Sequence, residues 1–325
     1  MLNLARSTTS SIFGLLLSCL CAAPAFARDR AVAVTAIVEH PALEAVRDGI
    51  KDELKAEGFE SGKNFKLAYY SAQGNPATAA QIARQVAGEG ADVIVGISTP
   101  SAQAAAAATK TIPVVFAAVT DPISAKLVAG EGAMGGNVTG VSDRPPVDYQ
   151  VSLIKMMLPS AKRLGVIYSP GEANSVAQFA LLKASAEAAG LSIVEAPAVK
   201  SSEVQTAAKS LVGRIDVLYV PADNAVVSAI DAVLSVMAKA KVPVIAPDEQ
   251  AVEKGAIASI GFDFYQLGRQ TGGIVAEILK GQPAGSIAWQ YGSGTSLVLN
   301  ARTAKLLGLD LPPAVLKRAK KILGA

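Results

Sequence analysis

"GADVIVGIS", Gly90 to Ser98, and "RIDVLYVPA", Arg214 to Ala222, are versions of one pattern: a short apolar, β-branched run that ends where helix-starting residues begin. Such a run, bounded by turn signals and without polar alternation, reads as a strand buried on both faces. The next segments also match, since "TIPVVFAAVTDP" at Thr111 to Pro122 answers "KVPVIAPDE" at Lys241 to Glu249. Around the first copy lie "AVAVTAIV", an amphipathic segment from Pro41 to Glu57 stopped by Gly58, "FKLAYYSA", a helical segment around Thr78 to Ala87, and an alanine-rich helix from Pro100. Flanking the second are "RLGVIYS", a helix from about Asn174 to Ala189 stopped by Gly190, "LSIVEAPA", and helices after Ser201 and from Asn224. Buried strands alternating with helices specify an α/β fold of parallel sheets covered on both faces.

Each half is therefore a doubly wound, Rossmann-like lobe, and the two are expected to face each other. Ligands bind such sheets beyond the carboxyl ends of the strands, so facing lobes share one cleft. "GGNVTGVSDRPPVDYQ", Gly135 to Gln150, is rich in Gly and Pro and reads as a linker or crossover. After "VPVIAPD" come a short helix, a strand "AIASIGF", a helix from about Tyr265 to Leu279, "SLVLN" and two terminal helices, the last carrying the basic "LKRAKKIL" on a solvated face. The expected partition is 28–143 plus about 248–281 for the first lobe and 144–247 plus about 282–325 for the second, with a hinge of several strands.

The opening 27 residues read as a cleaved secretory signal: Arg6, an apolar stretch from Ile12 to about Leu20, and Ala25-Phe26-Ala27 before the charged "RDR". Cleavage after Ala27 implies export, with lipid attachment through Cys19 in "LLSC" as the alternative. Cys19 and Cys21 are the chain's two cysteines and leave with the signal, so an apolar core must hold the mature chain, and 51% hydrophobic residues allow one. The formal charge of +3 is too small and dispersed for nucleic acid. No G-x-G-x-x-G turn, Walker motif or G-x-S-x-G elbow is present, and one histidine without a mature cysteine does not build a usual zinc site. The expectation is a binding protein without cofactor or metal, not an enzyme.

"IVEHPALEAVRDGI", "ADVIVGISTPSAQAA", "IPVVFAAVTDP", "GGNVTGVSD", "VPADNAV" and "PDEQAVEKGAIASIGFDFYQLGRQTG" resemble, in that order, the aromatic-amino-acid type of substrate-binding proteins of ABC transporters, with the type I periplasmic binding protein fold. The resemblance runs from about Val32 to the C-terminus. It implies a periplasmic, monomeric receptor that closes on a small solute, an amino acid of aromatic type, and delivers it to a membrane permease. A departure is "SAQGN", Ser71 to Asn75, where the family more often has Asn and Asp at the ends. Two other readings remain open: a sensor partner that presents ligand to a membrane receptor, and an exported hydrolase built around His40.

The candidate contacts sit at strand ends. Ser98 and Thr99 precede Pro100, a favourable first helical residue, so Thr99 is a cap candidate and the helix end suits a carboxylate. Asp223 and Asn224 hold the equivalent corner of the second half, where one caps a helix and the other is free for a ligand ammonium, since a buried carboxylate needs a partner. Opposite poles of this kind suit a zwitterion. Thr120 and Asp121 either touch ligand or make the Asp-Pro turn. Asp248 reads as a ligand or hinge contact. Glu172 and Asn174 occupy the place held by Glu39 and His40 in the first half. His40, the only histidine, stands at the N-cap place before Pro41, and one of Glu39 and His40 should face the cleft, either as a contact or as a satisfied structural group. Tyr69, Tyr70 and Phe116 read first as core.

Overall fold

In the computed structural model, which describes residues 29–324 apart from 64 and 134, the repeated pattern folds as two sheets. The export-signal reading, with Cys19 and Ala27, lies outside the described residues. The chain runs β1 (Arg30–Ala36), α1 (Pro41–Ala56), β2 (Phe65–Ser71), α2 (Pro76–Gly88), β3 (Val93–Ile97), α3 (Thr99–Ala108), β4 (Val114–Ala117) and β5 (Val138–Ser142). It continues with α4 (Val147–Met157), β6 (Arg163–Tyr168), α5 (Ala173–Ala188), β7 (Ser192–Pro197), α6 (Ser201–Leu211), β8 (Val217–Tyr219), α7 (Asn224–Ser228), α8 (Ile230–Lys239), β9 (Val244–Ala246), α9 (Glu249–Glu253) and β10 (Ala258–Phe262). Last come α10 (Phe264–Leu279), β11 (Gln290–Tyr291), β12 (Thr295–Asn300), α11 (Ala301–Leu306), α12 (Pro313–Leu316) and β13 (Lys321–Leu323).

The first sheet has the order β11-β5-β4-β3-β1-β2 and the second β13-β12-β10-β9-β8-β6-β7. Both share the 2-1-3-4-5 order of a doubly wound unit, and all pairs are parallel except β10 with β12. β3, the pivotal run of the sequence, is buried at every residue.

The connections depart from the expected partition. The stretch read as a linker contains β5, which pairs with β4, so only 143–146 passes between lobes there. "AIASIGF" is β10 of the second sheet, and the chain returns to the first lobe only at Asp263, stays for α10 and β11, and crosses a third time at 292–294. Thus 248–262 lies with the second lobe and 264–291 with the first, because α10 packs backbone to backbone on α1. A Cβ on Gly49 would lie 2.2 Å from the Tyr265 carbonyl, and one on Gly268 2.2 Å from that of Val46. α1 turns Leu43, Val46, Ile50 and Leu54 into the same core as Leu267, Ile274 and Val275 of α10, the apolar stripe of an amphipathic helix. The basic C-terminal stretch is likewise not a helix to its end: β13 adds a parallel strand to the free edge of β12, where main-chain pairing outweighs local helix preference.

Candidate ligand-binding cleft

The strand order brings the carboxyl ends of both sheets to one small cavity between the lobes. From the first lobe come His40 after β1, Ser98 after β3, Ala118 and Thr120 after β4, and Asp143 after β5. From the second come Asn174 after β6, Ala222, Asp223 and Asn224 after β8, and Pro247 and Asp248 after β9. Leu43, Val227 and Phe264, the last at the second crossing, give apolar wall.

His40 is the N-cap residue of α1, with φ −158°, and its side chain makes no capping bond. It is buried while Glu39 is exposed, so His40 faces the cleft. Burial lowers the imidazole to about 4, which keeps it neutral, and its Nδ1 has no partner. At the next corner the cap is Ser98, not Thr99, which is already helical. Ser98 has φ 74° and ψ 155°, a region that disfavours any Cβ. It is held by Ser98 N–H donating to the Ala117 carbonyl (2.8 Å) and by Ala102 N–H donating to its own (3.0 Å). The hydroxyl oxygens of Thr99 and Ser101 are buried without partners in the first turn of α3, beside N–H groups that no earlier helical carbonyl can take.

Thr120 donates its hydroxyl to Asp143 Oδ1 at 3.2 Å. Asp143 is buried, and that burial pushes its carboxyl up to about 6. Asp121 does not line the cavity: its Oδ1 accepts from Ile123 N–H (3.1 Å) and Ser124 N–H (2.9 Å), the turn reading of the Asp-Pro pair.

In the second lobe Asp223 is the cap of α7 and more. It accepts from Val226 N–H (2.9 Å), Ser169 N–H (2.6 Å) and Ser175 Oγ (2.6 Å), so its oxygens are engaged by its own lobe. Glu172 does not line this cavity but a neighbouring one, with Val38 and Asn75 of the first lobe, and accepts from Asn224 N–H (3.2 Å), Ala225 N–H (3.3 Å), the Asn224 side chain and Asn174 Nδ2 (3.2 Å). Asn174 Nδ2 also donates to the Ala222 carbonyl (2.8 Å), leaving Asn174 Oδ1 buried and unpartnered. Asp248 caps α9 through Ala251 N–H (2.8 Å). Burial raises the carboxyls of Glu172, Asp223 and Asp248. No Lys or Arg lines this cavity.

The structure therefore brings together His40, Ser98, Thr120, Asn174, Asp223, Asn224 and Asp248, with Thr99 beside them, and leaves Glu39, Asp121 and Glu172 off the lining. Asp143, Pro247 and Phe264 are absent from the sequence-derived candidates. Reading Gly135 to Gln150 as a linker hides the strand whose end carries Asp143. At the departure "SAQGN", Asn75 caps α2, its Oδ1 accepting from Ala77 and Thr78 N–H. Tyr69 packs on the outer core under Arg47 and Phe116 is wholly buried, so neither lines the cleft.

Two doubly wound lobes, crossed three times by the chain and meeting at their strand ends, define a type I periplasmic binding protein, a solute receptor. The chain belongs to the ABC transporter substrate binding protein family, whose model matches residues 31–323. It is 39% identical over 283 residues to the tyrosine-binding protein of Clostridioides difficile, covering 87% of this chain and 82% of that one. A conserved domain protein from Vibrio cholerae is 52% identical, with TM-score 0.89, and an ABC domain in complex with L-Trp from Streptococcus pneumonia is 36% identical, with TM-score 0.88. The ligand-free, open structure of a substrate binding protein from Clostridium difficile is 38% identical, with TM-score 0.68. Each of these three alignments covers 91% of this chain and all of the other. Among the described residues no helix is long and apolar enough to cross a membrane.

Proposed function

We propose that the protein binds one aromatic amino acid between its lobes and hands it, outside the cytoplasm, to an ABC permease as a monomer. The observation that carries this reading is where the unpartnered polar atoms fall. The described residues have four buried side-chain atoms without a hydrogen bond, His40 Nδ1, Thr99 Oγ1, Ser101 Oγ and Asn174 Oδ1; His40 and Asn174 line the cleft, and Thr99 and Ser101 lie in the first turn of α3, just after the lining residue Ser98. A buried polar group left so is costly, and a zwitterion would satisfy both kinds. The first turn of α3, with Ser98, Thr99 and Ser101, offers neutral donors and a positive helix end to a carboxylate. Asn174 Oδ1 and the carboxylates of Asp143 and Asp248 offer acceptors to an ammonium. Asp223 and Asn224 keep that corner in place, and Glu172 holds Asn224 and Asn174. Phe264, Leu43 and Pro247 suit an apolar side chain. Charge-assisted bonds contribute roughly 1.5–3 kcal/mol each, so three or four reach micromolar affinity, about 8 kcal/mol.

Two further comparisons support the reading. Relatives bind L-Trp or tyrosine by name. Relatives of near-equal identity superpose very differently, 0.88 for the L-Trp complex against 0.68 for the open form, which indicates lobes in the closed arrangement. A thermal-shift panel of amino acids tests the ligand class. L-Trp, L-Tyr and L-Phe are expected to raise Tm by several degrees, and a panel in which only basic, acidic or aliphatic amino acids did so would overturn it.

A further inference from the structure

Inside the second lobe four hydrogen bonds join five groups in one head-to-tail chain. Ala222 N–H donates to Gln178 Oε1 (2.8 Å), Gln178 Nε2 to the Tyr219 hydroxyl (2.6 Å), that hydroxyl to Gln150 Oε1 (2.6 Å), and Gln150 Nε2 to the Ile260 carbonyl (2.6 Å). Gln150, Gln178 and Tyr219 are each at most 2% exposed. Every donor points from the cleft toward the crossings. The phenol has one hydrogen, so by donating to Gln150 it must accept from Gln178, and each amide has one orientation that keeps the chain whole. Burial raises the phenol's pKa, so that hydrogen is always present.

The two ends of the chain matter most. At one end, Ala222 lines the cleft, with its carbonyl held by Asn174. At the other, Gln150 is on α4, which follows the first crossing. Ile260 is on β10, which leads into the second, and it faces Leu297 of β12, which follows the third. All three crossings thus reach the chain within one element.

We infer that Gln178, Tyr219 and Gln150 are positioning residues that tie the ligand-facing loop 221–224 to the hinge, so that loop and hinge move as one body when the lobes close. Hydrogen bonds aligned in this sense reinforce one another, and losing a central member releases both ends. The side chains touch no ligand. Their effect on affinity comes through the Ala222 peptide and its neighbours Asp223 and Asn224.

The test is hydrogen–deuterium exchange on the protein across 220–226 and 258–263, with calorimetric titration of L-tryptophan, for wild type, Tyr219→Phe, Gln150→Leu and Asn300→Ala. Asn300 is a control: buried at the end of β12, its side chain bonds the Val252 carbonyl and caps α11 and makes no hydrogen bond to Gln178, Tyr219 or Gln150. Tyr219→Phe and Gln150→Leu should each speed exchange in both segments and weaken L-tryptophan about tenfold, one hydrogen bond's worth. Asn300→Ala should lower Tm and move neither. Unchanged exchange at 220–226 in folded Tyr219→Phe and Gln150→Leu would overturn the inference. The titration arm rests on the proposed ligand class and the exchange arm does not: a wild type that ignores L-tryptophan counts against that class alone, and exchange still decides the relay.

Discussion

Asp143 is a buried carboxylate with one side-chain donor, Thr120, and no cation beside it in the cavity. Held at about 6, above the ordinary value near 4, it takes up a proton in the folded state between those limits. Its contribution to stability without ligand therefore rises as pH falls from about 6 to about 4. His40 runs the other way: lowered to about 4, it binds fewer protons folded than unfolded, so its contribution falls as pH drops from 6.5 to 4. Asp143→Asn keeps an acceptor for Thr120 and removes the desolvated charge. Urea unfolding of the free protein at pH 7 should then show a gain on the order of 1–3 kcal/mol. The same variant should bind L-tryptophan at least tenfold more weakly, and the wild type's loss of affinity between pH 7 and 5 should flatten. Strand alternation makes it legible in the sequence that one of Glu39 and His40 faces the cleft, and only the burial of His40 beside an exposed Glu39 selects the histidine. Asp143 is not, since the glycines and prolines around "VSDRPP" speak for a loop and only the pairing of β5 with β4 makes it a strand end. Glu172 stands at the right address by symmetry, but its carboxylate is taken by Asn174, Asn224 and Ala225 and does not line the cavity that His40 lines.

Among the elements, the α1–α10 crossing decides which lobe the late helix joins. Gly49, Gly268 and Gly272 let the two backbones meet, with no room for a Cβ at Gly268. Gly268→Val is expected to cost at least about 2 kcal/mol by overpacking, seen as a lowered Tm and a weaker grip of the hinge. Thermal unfolding followed by circular dichroism checks it, and an unchanged Tm would mean the helices part freely. The repeat of strand and helix is legible because burial on both faces leaves continuous apolar runs such as "DVIVGI" and "DVLYV". Which sheet takes each late strand is not. β10 and β13 are three to five residues long, and their places come from free edges at β9 and β12 that exist only once the sheets are folded. The basic C-terminal stretch shows the same limit, because Lys321 reaches Glu249 and Glu253 of α9 only from within the added strand.

For the whole molecule, the three crossings and the shared cavity give a receptor whose states differ in the separation of its lobes. A ligand shifts that balance only by its differential affinity for the closed form. Small-angle scattering should show a smaller radius of gyration with L-tryptophan than without, unless the free protein already rests closed, in which case the ligand slows hydrogen exchange around the cleft. Whether one aromatic amino acid is held as a zwitterion between the lobes is decided by calorimetric titration of the protein with L-tryptophan and L-tyrosine, alongside tryptamine and indole-3-propionate. The expected result is one site per chain at micromolar affinity or tighter for at least one of the amino acids, and much weaker binding of the compounds that lack a carboxylate or an amine. No heat and no competition from either amino acid, or equal binding of the analogues, would refute it.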